Sequence, residues 1–149
     1  MDLTQAKIEM SSYIAEVFKP LANDILQNSQ IVFLFDRVQQ RSSIDKNRHT
    51  LRVHIMPVES QMSAFSTNNA QKKRWINKGI LKCQFFSPAT ETGAGFKQDA
   101  LAQALQDALR RQNLPGKIWF RRASIKDVRD EDTLLRIDVV AEYEYRQVA

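Results

Sequence analysis

The carboxylates Asp127, Asp130, Glu131 and Asp132 lie close together near the end of the chain, and such an oxygen set can hold a hard cation. The stretch has neither a glycine at the sharp turn nor the ordered spacing of a calcium loop, so it reads as the solvated tip of a hairpin. His54 could act as a base. No serine, cysteine or carboxylate lies at a local spacing that would orient it, and a partly exposed strand histidine is the plainer reading. Cys83 sits in an apolar run and reads as a small core residue rather than a nucleophile. As the only cysteine, with His49 and His54 the only histidines, it can form neither an intrachain disulfide nor a metal centre. Thr92-Gly93-Ala94-Gly95 has the look of a phosphate-cradling turn at a helix start. There is no Gly-Lys-Ser/Thr and no third glycine of a dinucleotide fingerprint, and Arg121 and Arg122 stand where a ribose-binding carboxylate is wanted. No cofactor, metal or reaction centre is therefore expected, and the chain reads as a non-enzyme that works through its surfaces.

Charge gives those surfaces a character. The net charge is +5 and the isoelectric point near 9.5. Basic residues cluster at Arg37, Arg41, Lys46 and Arg48 and at Lys72-Lys73-Arg74, with further pairs at Arg110-Arg111 and Arg121-Arg122. They are spread over several elements, without a helix stripe interleaved with stacking aromatics. Solvated or interfacial roles fit this scatter, and a small basic nucleic-acid-binding module is the alternative. Trp75 and Trp119 could anchor a partner, but with a core to fill, burial within the subunit is expected.

The elements that position these residues follow from periodicity. Residues 4–28 show a helical pattern through Ile8, Met10, Ile14, Val17, Phe18, Leu21 and Ile25, with Asp2 or Thr4 as cap. Pro20 inside it predicts a kink or a break. The apolar run 31–35 predicts a covered strand. Residues 37–50 read as a loop. Alternation over 51–56 predicts a strand with Leu51, Val53 and Ile55 on one face, closed by Pro57. A second polar loop is expected over 59–73. Residues 74–87 carry apolar side chains on both faces and predict a central strand. Pro88 and the glycines then lead into an amphipathic helix over 96–112, with Ala100, Leu101, Ala104, Leu105, Ala108 and Leu109 inward and Gln98, Asp99, Gln103, Gln106, Asp107 and Arg110 outward. Strands over 117–125 and 134–145 form a hairpin, the latter with Leu135, Ile137, Val139, Ala141, Tyr143 and Tyr145 on one face. With 43% hydrophobic and 26% charged residues, the chain fits one α+β domain spanning 1–149. Its sheet is mainly antiparallel or mixed, packed with the N-terminal helix and the second amphipathic helix. The start Met1-Asp2-Leu3-Thr4-Gln5 lacks a signal pattern, and no apolar run approaches a membrane span, so a cytoplasmic protein is expected.

In this order of elements the chain resembles the tail terminator proteins (minor tail protein U-like) of long, non-contractile-tailed phages. The N-terminal helix, the short strand of Ile31 to Phe35, and the Leu51 to Met56 strand with its long polar loop carry the likeness. It continues through the strand from Trp75 to Pro88 with Gly93 and Gly95, the following helix, and the closing Ala141-Glu142-Tyr143-Glu144-Tyr145.

The resemblance implies a homo-oligomeric, hexameric ring on the head-proximal end of the tail tube. Such a ring stops tube growth and presents a surface to the head connector or completion protein. Genomic DNA passes through its lumen without specific recognition. The protein would be assembled in the bacterial host cytoplasm and reside in the virion. Polar loops suit subunit or tube contacts, so Arg48, Asn68, Asn69, Lys72, Lys73 and Arg74 are the expected interface residues. The chain is more basic than that family's pattern.

Overall fold

The computed structural model describes residues 1–27, 30–35, 47–65, 73–111, 118–128 and 134–148, with only the backbone of 63–65. Their order is α1 (Leu3–Tyr13), a π turn (Ile14–Phe18), α2 (Lys19–Leu26), β1 (Val32–Phe35), β2 (Thr50–Phe65), β3 (Lys73–Pro88), α3 (Ala94–Arg111), β4 (Ile118–Asp127) and β5 (Leu134–Val148). The strands form one mixed sheet in the order β1-β2-β3-β5-β4, with β1 parallel to β2 and the other pairs antiparallel. The expected α+β domain with two helical elements on a mainly antiparallel sheet is present, and β3 is its central strand. No helix among the described residues is long and apolar enough to cross a membrane.

Asp2 caps α1 by accepting from the Gln5 backbone N–H at 2.8 Å. Pro20 neither breaks nor ends the run. The turn before it widens instead, with the Lys19 N–H donating to the Ile14 carbonyl five residues back. The wider turn accommodates a proline that cannot donate and would crowd a tight preceding turn. The buried face also differs from expectation: Ala6, Met10, Tyr13, Ile14, Phe18, Ala22 and Leu26 face the sheet, while Ile8 and Leu21 are 54% and 43% exposed.

The expected loop after Pro57 is corrected over residues 59–65. β2 runs on through Phe65, pairing with β3 as far as Lys73 and with irregularities after Pro57 and Met62. Beyond Val53 the other side of β2 pairs with no described strand. Proline is tolerated on such an edge, where a missing donor interrupts no second ladder. Residues 36–46, which hold most of the first expected loop, and 66–72, the remainder of the second up to Lys73, lie outside the described residues.

Both helical elements pack on one face of the sheet. Phe18 meets Phe85 edge-on at 5.8 Å between centroids and Tyr13 meets Phe120 at 6.1 Å, over Leu51, Val53, Leu81, Cys83, Ile137, Val139 and Ala141. In α3 the expected Leu101, Leu105, Ala108 and Leu109 are buried, but so are Gln98 and Gln106, both assigned outward above. Each amide has backbone acceptors waiting: Gln106 donates to the Ala123 carbonyl at 2.9 Å, and Gln98 to the Leu135 carbonyl at 2.9 Å.

Candidate functional site

One sheet face holds the helices, and no described helix or strand covers the other. Side chains of directly paired residues share a face. The ladders therefore line up Arg52, Gln84, Asp138 and Lys126 on the helix-free side, then His54, Lys82, Val140 and Ser124, then Met56, Ile80, Glu142 and Arg121. Lys78, Glu144 and Trp119 follow, then Ile76 with Arg146.

At the Thr50 end of this face Phe86 is 1% exposed, with the Arg52 and Arg136 guanidiniums over its ring at 5.4 and 5.6 Å. Arg52 Nε donates to Gln84 Oε1 at 2.7 Å. Asp138, 3% exposed, accepts from Arg136 Nε and Nη2 at 3.3 Å and lies 3.9 Å from Lys82 Nζ. A buried carboxylate needs such partners, because isolated burial of its charge is costly. Towards the other end Lys78 meets Glu59 at 3.8 Å, Arg121 meets Glu144 at 3.3 Å and Arg122 meets Glu142 at 3.6 Å. Arg146 lies 5.5 Å from the Trp119 ring centroid. Among these groups Met56, Ile76, Ile80 and Val140 are half-buried. The face is thus apolar along its middle, with cations in excess of carboxylates around it.

The expected interface residues do not form one cluster. Arg48 is exposed just before β2, its Nη2 3.5 Å from the Gln30 carbonyl. Lys73 and Arg74 pair with Phe65 and Ala64 at the far end of the β2–β3 hairpin. The 16 residues of β2 separate these ends by about 50 Å. Asn68, Asn69 and Lys72 lie outside the described residues. Trp75 and Trp119 are half-buried, short of the burial expected for them. In the acidic stretch only Asp127 is described, at the exposed end of β4, and no group of three or more potential metal ligands occurs among the described residues.

His54 is half-buried on β2, and burial, then the charges of Lys7 and Lys82, lower its pKa. It also lines a groove of about 790 Å³ between α1 and β2, with Leu3, Ile8, Phe35 and Ile55. Cys83 is fully enclosed, and burial, reinforced by Asp138, pushes its thiol pKa strongly up, as expected of a packing residue.

Sequence reasoning missed a serine–histidine–glutamate set. His49 Nδ1 lies 2.9 Å from Ser87 Oγ, and His49 Nε2 meets the Glu91 carboxylate. Residues 49, 87 and 91 come from just before β2, the end of β3 and the following turn, so no local spacing signals them. Ser87 is fully buried, and its oxygen accepts from Gln98 Nε2 at 3.1 Å. With the ring hydrogen on Nε2 facing Glu91, Nδ1 accepts the Ser87 hydroxyl, and every group has a partner. The enclosed oxygen leaves no approach for a substrate carbonyl in this conformation, and the set acts as a polar clamp joining three elements. Burial favours a raised Glu91 pKa, but the hydrogen bond from His49, with the Lys97 ammonium 3.6 Å away, holds that carboxyl below its ordinary value.

No family model matches the chain. No curated protein matches it either. Of 21 solved chains that match, one does so over 97% of this chain and 96% of its own, at 13% identity and a TM-score of 0.57. That likeness is one of fold.

Proposed function

We propose that the protein is a structural subunit that closes into a ring on the head-proximal end of a phage tail tube, ends tube growth and offers a joining surface to the head. The reading begins from the resemblance to tail terminators. One observation carries it here: among the described residues, a five-stranded sheet is clothed by helices on one face only, and its other face mixes half-buried apolar residues with paired charges. The second face of an antiparallel sheet can stand in water, and half-buried apolar groups among its charges make this one available to a partner. Ring closure needs two different patches on one molecule, which the helix layer and the helix-free face can supply. Tube protein and head connector would bind the two rims, and DNA would cross the lumen without base contacts.

The test is addition of purified protein to polymerising tail tube subunits. Arrest of elongation, with the protein found at one tube end by labelled electron microscopy, is the expected result; unaffected tube growth counts against the reading. A second reading, a small nucleic-acid-binding module, draws on the cation excess of the helix-free face. It requires duplex or single-strand affinity that falls steeply with salt through counterion release.

A further inference from the structure

We infer that the helix-free sheet face of one copy receives the outer face of the N-terminal helical run of a second copy. This contact deepens the ring reading and rests on it. Away from the sheet, α1, the π turn and α2 carry Glu9, Glu16 and Asp24, while Lys7 lines the groove beside β2 and Lys19 lies over the Phe33 ring, so this side is acidic where the sheet face is basic. It also exposes Leu21, and Ile8 at its border with the groove beside β2, apolar groups that match the half-buried Met56, Ile76, Ile80 and Val140. A partner's helices laid there would complete a third layer and place the two surfaces in charge register. The two patches are different surfaces of the subunit, as a heterologous contact requires.

Two alternatives fit the geometry less well. Edge-to-edge strand addition meets blunted edges: β4 bulges between Arg121 and Ser124, with Arg122 at a φ of 51°, and the unpaired part of β2 holds Pro57 and two irregularities. A nucleic acid on the sheet face would set its phosphates against Glu59, Asp138, Glu142 and Glu144, which lie among the cations and already pair with them. A protein surface of mixed charge and apolar groups suits this pattern better.

The experiment compares sedimentation velocity over a concentration series for four proteins. These are wild type, a sheet variant (Lys78→Glu with Lys126→Glu), a helix variant (Glu16→Lys with Asp24→Lys) and the chain carrying all four changes. Each two-residue variant should raise the concentration needed for assembly by at least about tenfold, since like charges then meet across the contact. The four-change chain should recover towards wild type, a rescue that mere loss of folding cannot produce, and thermal melts check that every variant is folded. Wild-type assembly by either two-residue variant, or no rescue in the combined chain, overturns this contact while leaving the ring reading standing. A wild type that stays monomeric throughout overturns both. Salt-steep binding of a DNA duplex that the sheet variant abolishes, with assembly unchanged, assigns the face to nucleic acid and overturns the inference.

Discussion

The Tyr143 phenol lies over Gly79, directly across from it in the β3–β5 ladder, and fills the space a side chain at 79 would occupy. A methyl group there would collide with Tyr143 Oη and with the Met56 carbonyl, which is backbone and cannot swing aside. Gly79→Ala is therefore expected to lose about 1–3 kcal/mol, the usual cost of overpacking, in urea unfolding. A change below about 0.5 kcal/mol would show that the strands part freely here.

The same hydroxyl is buried and has no hydrogen-bond partner among the described residues. An unmet buried polar group costs free energy, so Tyr143→Phe should leave stability equal or higher. Burial, with Tyr145 adding to it, pushes the Tyr143 pKa up to about 12 from 10.0. The unfolded chain gives up this proton first, so this contribution to stability should fall as pH rises from 10 towards 12. The phenylalanine variant should lose less over that interval, as read by urea midpoints at each pH.

The Glu91 carboxyl behaves in the opposite sense. Its folded pKa is lowered from 4.5, so its contribution is complete above that pH and is lost as pH falls through the folded value. Glu91→Gln should flatten this acid limb, measured by thermal melts across acid pH. An unchanged limb would mean that His49 holds the carboxylate too weakly to matter.

Gln98 donates to the Phe85 and Leu135 carbonyls and to Ser87 Oγ, tying α3 to the ends of β3 and β5. Its replacement by leucine keeps the volume but strands those acceptors. A loss of about 2–3 kcal/mol in chemical denaturation is expected, and a neutral result would show that water takes over the bonds.

Lys73→Glu with Arg74→Glu should leave the fold intact and slow ring assembly on tubes, because both lie at the end of a long hairpin where rim charge sets encounter rate. Stopped-flow light scattering on tube ends would measure it, and equal rates would place the tube contact elsewhere.

The order of elements was legible because β1, β3 and β5 announce themselves by apolar runs and alternation, and Leu101, Leu105 and Leu109 mark the inner side of α3. What stayed hidden depended on partners distant in sequence. Gln98 and Gln106 look like surface residues until carbonyls from β3, β4 and β5 arrive to receive them. Pro57 looks like a stop until β2 proves to be an edge there. Asp138 looks solvent-facing until Arg136 and Lys82 close over it. Of the proposed interface, Lys73 and Arg74 could be found as a basic run, whereas the helix-free face exists only once four strands stand side by side.

The π turn acts as a phase corrector. Buried residues recur at 6, 10, 14, 18, 22 and 26, a spacing of four, while an α-helix repeats every 3.6 residues and would swing each successive member about 40° further round. Left uncorrected, Leu26 would face away from Ala6. One wide turn absorbs a single surplus residue and returns the second half of the run to the sheet. Removing a residue such as Ala15 from that turn should leave the buried set in step with a plain α-helix, whereas adding one would throw Phe18, Ala22 and Leu26 out of the core together.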